Sequence, residues 1–196
     1  MEPHRREREI KVSATGERVL VARAQSGDRS AFEELVRLHA DQLHAVVLRL
    51  CASEHDAEEA TQEAFLRAWR AIGRFDGRSR FFTWLYRIGV NEAMRGAGRA
   101  ARRLQAVSLE ESPVEPPEPC DGPEARALRR ELHADLESSL RALPVEHRAP
   151  LVLRDVEGLS TAESAQILGI SEAAFKSRLH RARLVLRRQL GDDRRG

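Results

Sequence analysis

The sequence predicts an all-α protein built as two small helical domains joined by an acidic, proline-rich linker, the second domain containing a helix-turn-helix. Three observations predict it. Apolar residues recur at helical spacing along most of the chain, and no stretch sustains the period-two alternation of β-branched residues that marks a strand. Five of the eight prolines (Pro113, Pro116, Pro117, Pro119 and Pro123) fall in one acidic stretch with almost no large apolar groups, the composition of a linker. Finally, residues 158–190 hold two short helical patterns separated by a break at Gly169-Ile170-Ser171. At 196 residues, 41% of them hydrophobic, the chain can form one large domain or two small ones. The expected division is a tail at 1–17, a domain at 18–103, a linker at 104–124, a domain at 125–191 and a tail at 192–196.

The net charge of +2 hides strong segregation. Residues 70–103 carry nine arginines against two acids, Asp76 and Glu92, whereas residues 54–63 carry five acids and residues 104–124 six, neither stretch with any Lys or Arg. Partners of opposite charge are therefore expected. The basic residues are 31 Arg and 2 Lys (Lys11 and Lys176), a bias read as that of a GC-rich genome. No run of 18 apolar residues occurs and the N-terminus lacks the apolar stretch of a signal peptide, so a cytoplasmic protein without membrane insertion is expected. Cys51 lies in a helical apolar pattern and Cys120 among prolines, without the spacing of a zinc site. No disulfide, metal or cofactor is expected.

In the first domain, Phe32, Leu35, Val36, Leu43, Val46, Val47 and Leu50 trace one helical core face, with Asp28 or Ser30 as its cap. In the next helix Ala57, Ala60, Ala64, Phe65, Ala68 and Trp69 line the buried side and leave Asp56, Glu59, Gln62, Glu63 and Arg67 outward. An acidic helical face of this kind is either solvated or a docking surface. Five of the nine aromatics, Phe75, Phe81, Phe82, Trp84 and Tyr86, then fall within twelve residues, interleaved with Arg74, Arg78, Arg80 and Arg87. Rings with guanidinium groups suit unpaired bases, because any base can stack on a ring while arginines follow the phosphates. Trp84, Leu85 and Ile88 read as core. Phe75 and the turn from Asp76 to Arg80, marked by Gly77 and Ser79, read as a surface for single strands. Asn91, Arg95, Arg99, Arg102 and Arg103 extend the basic surface along a helix expected to loosen at Gly96 and Gly98.

In the second domain Ser160 and Glu163 form an S-x-x-E capping box, so a helix starts at Ser160, with Ala162, Ala165 and Leu168 on one face. Gly169 suits the left-handed position that ends it and Ser171 can cap the next helix. There Phe175, Leu179, Ala182, Leu186 and Leu190 form the packing stripe. The opposite face presents Ala173, Ser177, His180, Arg181 and Arg188, flanked by Lys176, Arg178 and Arg183, with Glu172 as its only acid. A capped break between two short helices, the second basic, is the build of a helix-turn-helix that enters a DNA groove.

Four segments in this order, SGDRSAFEELVRLH, DAEEATQEAFLRAW, FDGRSRFFTWLYRIGVNEA and ALPVEHRAPLVLRDVEGLSTAESAQILGISEAAFKSRLHRARLVLR, resemble bacterial RNA polymerase sigma factors of the extracytoplasmic-function (ECF) group. The resemblance spans Val19 to Leu190. It implies that Asp56, Glu59, Gln62 and Glu63 dock on the clamp helices of the largest subunit of core RNA polymerase. It implies further that Phe75, Asp76, Arg78, Ser79, Arg80, Phe82, Asn91 and Arg95 contact the minus-10 element, in part as a single strand. Lys176, Ser177 and Arg181 match the positions that read the minus-35 duplex, with Arg178 and Arg183 on phosphates. An anti-sigma protein is an expected partner. The chain departs from the family pattern at Gly89, often alanine, at Ala173-Ala174-Phe175, often Gly-Thr-Val, and at Pro150, where a kink is expected inside a helix.

The expectation is thus a non-enzymatic initiation subunit that binds core polymerase, recognises two promoter elements and supports melting. A dimeric helix-turn-helix regulator is the alternative, and it has no use for the acidic face or the aromatic turn. A metal-dependent nuclease built on His55 and Glu59 lacks a third ligand at useful spacing.

Overall fold

The structure is a computed structural model, and it describes residues 14–104 and 138–192. The helices are α1 (Ala14–Gln25), α2 (Arg29–Leu48), α3 (Glu54–Ala71), α4 (Phe81–Leu104), a helical segment at 138–142 (α5), α6 (Val145–Leu151), α7 (Thr161–Leu168) and α8 (Glu172–Asp192). No strand occurs among the described residues. The 104–124 linker, apart from Leu104, lies outside the described residues, as do Cys120 and residues 1–13 of the N-terminal tail.

Local chemistry sets most of the boundaries. Asp28 caps α2: its carboxylate accepts from the Ala31 N–H at 3.2 Å and from the Ser30 hydroxyl at 2.7 Å. These bonds, with that from Arg23, hold its carboxyl down at about 2. Ser53 caps α3, accepting from the Asp56 N–H at 3.1 Å and donating to the Asp56 carboxylate at 2.7 Å. A single 3-10 turn, Ile72–Arg74, then tightens the chain into the aromatic loop. The loosening expected at Gly96 and Gly98 does not break α4, which continues through both to Leu104.

Helices α1 to α4 pack around Leu35, Leu43, Val46, Val47, Leu85 and Val90, each fully buried. Burying such a side chain contributes roughly 1.5–3 kcal/mol. Gly89 faces α2 at close range: a Cβ there would lie 2.6 Å from Leu43 Cδ1. The departure from alanine at this position therefore matches a tight approach of α4 to α2.

Pro150 sits inside α6, as expected, and the helix changes type directly after it. Residues Val152–Val156 form a π turn in which the Glu157 N–H donates to Val152 O at 2.9 Å. In the helix-turn-helix the capping box is complete, Ser160 and Glu163 exchanging backbone and side-chain bonds of 3.1 Å each way. Gly169 takes φ 64°, the left-handed position that a side chain would strain. Ser171 caps α8 through the Ala174 N–H at 3.2 Å. The buried side of α7 is Ser164, Ala165 and Ile167, with Leu168 half-buried, whereas Ala162 is exposed. The buried face is thus turned by about a quarter turn from the expected one, because α7 is gripped from two sides.

Those two sides join the domains. Ala165 packs with Leu143, Leu151, Phe175, Leu179 and Ala182 in a second-domain core, while Ile167, Ala149, Val152 and Leu153 belong to the core of the first. Arg148 crosses the same boundary. Its guanidinium, 8% exposed as a residue, donates to Arg141 O and Leu143 O at 2.7 and 2.9 Å and reaches Arg49 O and Cys51 O at 3.4 Å. Beside it Arg49 pairs with Glu157 at 3.4 Å.

Candidate nucleic-acid interface and docking face

The acidic face lies on α3 as the alternation of alanines dictates. Ala57, Ala60, Ala64 and Ala68 are buried, and Glu59 and Gln62 are exposed. Asp56 and Glu63 are half-buried. Asp56 is engaged by Ser53 in the first helical turn, so part of its negative charge serves the helix start. Glu63 accepts from Arg67 Nε at 2.8 Å. An open groove of about 480 Å³ runs beside this face, lined by Glu59, Gln62, Glu63, Leu66, Arg67 and Glu92. Leu66 is 45% exposed there, an apolar group at the centre of a charged surface. Neither Leu66 nor Glu92 stood out as functional in the sequence. The only available signal for Glu92 was an acid in an otherwise basic helix.

The aromatic loop is anchored from behind. Gln25 of α1 donates to Phe75 O at 2.7 Å and Ile72 O at 3.2 Å. The Phe75 ring is half-buried and lies 5.1 Å from Trp84 and 6.0 Å, edge-on, from Phe81. It is therefore the outer member of an aromatic cluster. Asp76 closes the turn, accepting from the Arg78 N–H at 3.1 Å and pairing with Arg78 Nε at 3.2 Å, with Gly77 at φ 70°. Arg78 and Arg80 are exposed, and the Arg80 guanidinium carbon lies 5.9 Å above the ring of Phe82, which meets Tyr86 edge-on. Ser79 is half-buried. Asn91 and Arg95 follow on α4, both exposed and one turn apart. Asn91 and Arg95 lie about two and a half turns or more beyond Phe82 and on a side of α4 away from it, so the six other expected residues form one loop surface. Its near neighbour is α7, since the charge of Arg80 adds to the Ser160 hydrogen bonds that hold the Glu163 carboxyl below its usual range.

On α8 the stripe Phe175, Leu179 and Ala182 is buried, Leu186 half-buried. Lys176, Ser177 and Arg181 project outward, exposed and with no hydrogen bond or ion pair among the described residues. Arg178 is half-buried. Arg183 is exposed but committed: it forms a two-pronged pair with Asp155 of the π turn at 3.0 and 2.5 Å. Of the five residues expected to meet DNA on this helix, three are thus exposed and unengaged, Arg178 is half-buried and Arg183 is paired. Among the described residues no group of three or more potential ligands gathers for a metal, and no helix is long and apolar enough to cross a membrane.

Comparison with known proteins follows the same division. The family model described as Sigma-70 region 2 matches residues 35–103, and that described as Sigma-70, region 4 matches residues 133–186. The RNA polymerase sigma-H factor of Pseudomonas aeruginosa is 33% identical over 177 residues, covering 87% of this chain and 92% of that one. The chain belongs to the ECF group of RNA polymerase sigma factors. The ECF sigma-E factor of Escherichia coli is 35% identical over 173 residues, with 85% and 90% covered. SigE of Mycolicibacterium smegmatis is 36% identical over 176 residues, covering 88% of this chain and 66% of the longer relative. Among solved structures, CnrH in complex with the cytosolic domain of CnrY superposes with a TM-score of 0.65 at 30% identity, covering 92% of this chain and 99% of that one. The Bartonella quintana sigma factor RpoE, solved with the anti-sigma factor NepR, gives 0.63 at 26%, covering 82% and 96%. In this ECF sigma factor, the region 2 match thus takes in most of α2, α3 and α4, with the acidic face and the aromatic loop, and the region 4 match takes in α7 and α8 as far as Leu186.

Proposed function

We propose that this protein is the promoter-recognition subunit of a bacterial RNA polymerase. It docks on core polymerase through Asp56, Glu59, Gln62 and Glu63, with the largest-subunit clamp helices as the partner. It holds the minus-10 element at Phe75, Asp76, Arg78, Ser79, Arg80, Phe82, Asn91 and Arg95, and it reads the minus-35 duplex with α8. In this reading residues 18–103 and 125–191 are the two working domains and 104–124 the tether between them. The observation that carries it is the presence on one chain of an exposed acidic helix face and two separate basic surfaces, one an aromatic loop and the other a helix-turn-helix. A duplex-binding regulator uses only the last of the three.

The chemistry of each surface supports its role. A half-buried ring at a turn, flanked by exposed guanidinium groups, can stack on an unpaired base while the arginines neutralise phosphate. Lys176, Ser177 and Arg181 supply donors at the exposed start of α8, the part of a recognition helix that meets base edges. The polymerase performs the chemistry of RNA synthesis, and this chain contributes binding and strand capture without a cofactor. An anti-sigma protein is its proposed inhibitor, since the superposed sigma factor RpoE was solved with the anti-sigma factor NepR. Transcription in vitro with purified core polymerase over a genomic promoter library tests the reading. Promoter-specific transcripts and co-elution with core polymerase in gel filtration are expected. A dimer that binds duplex DNA and never co-elutes with core polymerase would establish the regulator instead.

A further inference from the structure

Glu92 is the one buried acid among the described residues, with a side chain 4% exposed at the seam of α3 and α4. A carboxylate withdrawn from water has to be paired. Glu92 meets this requirement with two arginines on a single oxygen. Arg95 Nη1 donates to Glu92 Oε1 at 2.7 Å, and Arg67 Nε lies 3.2 Å from the same atom. Arg67 Nε also donates to Glu63 Oε1 at 2.8 Å. The Arg67 Nε–H is thus given to Glu63 while its nitrogen stays within ion-pair distance of Glu92, and one carboxylate oxygen has two guanidinium groups beside it. In such a chain a bond strengthened at one link is weakened at the next.

The ends of the chain stand on different surfaces. Glu63 belongs to the acidic face of α3, and Arg95, whose side chain is 56% exposed, belongs to the strand-facing side of α4. Taking those two surfaces as assigned under the proposed function, we infer that Glu92 is a positioning residue that couples polymerase docking to strand capture. A cation of the partner that takes Glu63 leaves the Arg67 N–H wholly to Glu92. Glu92 Oε1 then holds Arg95 less tightly, and Arg95 turns to the phosphates of the unpaired strand. Coupling of this kind is reciprocal, so a strand that engages Arg95 draws Arg67 toward Glu92 and uncovers Glu63 for the partner. A purely structural ion network would hold both arginines but would transmit nothing between them.

The test is a double-mutant cycle in the full chain. Its probe is a fluorescent single-stranded oligonucleotide carrying the minus-10 sequence of the strongest promoter from the transcription experiment. Glu63→Gln imitates capture of Glu63 by a partner. It should tighten strand binding about two- to fivefold, the scale of one exposed ion pair. That gain should vanish when Glu92→Gln or Arg95→Ala is also present. Glu58→Gln removes the same charge from α3 outside the chain of contacts and controls for net charge. The Nε–H resonance of Arg67 gives an independent readout: it should shift in Glu63→Gln and shift again, toward that of a solvated arginine, when Glu92→Gln is added. Additive effects of Glu63→Gln and Glu92→Gln, or an Arg67 resonance that ignores both, overturn the coupling while strand binding sensitive to Phe75→Ala leaves the proposed function standing. Absence of strand binding by the parent and by Glu63→Gln alike overturns the coupling, and absence of promoter-specific transcripts with core polymerase overturns the proposed function.

Discussion

The aromatic loop and the recognition helix are both assigned to DNA, yet they are built in opposite ways. In the loop, groups with a proposed contact also hold the protein together: Phe75 packs at a tilt against Trp84 and Asp76 closes the turn on Arg78, on a backbone that Gln25 pins from α1. On α8 the residues proposed to read bases, Lys176, Ser177 and Arg181, are exposed and unengaged, while Phe175, Leu179 and Ala182 do the packing. A regular helix separates the two tasks by face, because side chains 100° apart point to different surroundings. A loop has no such periodicity and must hold its shape with the same residues that it presents. Substitutions in the loop should therefore affect stability and function together, and substitutions on the outer face of α8 function alone.

The largest effect is expected where the scaffolds of the two surfaces join. Arg148→Ala removes a buried guanidinium and leaves up to four carbonyls without their donor. Loss of about 3 kcal/mol of folding stability is expected, measured by chemical denaturation. A change below about 1 kcal/mol would show that the two parts do not depend on this contact.

Phe75→Ala tests the loop side of the contrast directly. Removing a half-buried ring from the cluster should lower stability by about 1–2 kcal/mol, less than a fully buried phenylalanine would cost. It should also impair transcription from duplex promoters more than from templates melted beforehand. An unchanged unfolding midpoint, with transcription lost, would place Phe75 with the α8 residues as purely presentational.

Arg181→Ala is the matching test on α8. It should leave the unfolding midpoint within about 0.5 kcal/mol of the parent. It should cost roughly 1–3 kcal/mol in minus-35 binding and relax preference at one base pair, read against a set of minus-35 variants. Arg183→Ala should instead weaken all sequences alike and flatten the salt dependence. Because Arg183 is also paired with Asp155, it should lose about 0.2–1 kcal/mol of stability as well. Reversal of the two patterns would mean that α8 sits in the groove with a different rotation.

A modest effect is expected at Gly89→Ala, within the helix that follows the loop. Better helix propensity favours alanine by about 1 kcal/mol. The contact with Leu43 costs about 1–3 kcal/mol if the core cannot relax. Net destabilisation of about 1 kcal/mol is expected, and stabilisation would show that Leu43 simply moves aside.

The sequence by itself determined what depends on neighbours a few residues away. The capping box at Ser160 and Glu163, the left-handed Gly169, the cap at Ser171, the alanine stripe of α3 and the outward position of Lys176, Ser177 and Arg181 were all legible, because caps and helical periodicity are local. Only the tertiary structure decided what depends on distant partners. It chose Asp28 over Ser30 as the cap of α2, kept α4 helical past Gly96 and Gly98, and followed the α-helix that holds Pro150 with a π turn. It turned α7 so that Ile167 rather than Ala162 is buried. It also gave Arg183 a partner 28 residues away in Asp155 and made Glu92 and Arg148 hubs. A charged residue has the same letter whether it is solvated or buried. Its partners, brought together by packing, are what distinguish the two.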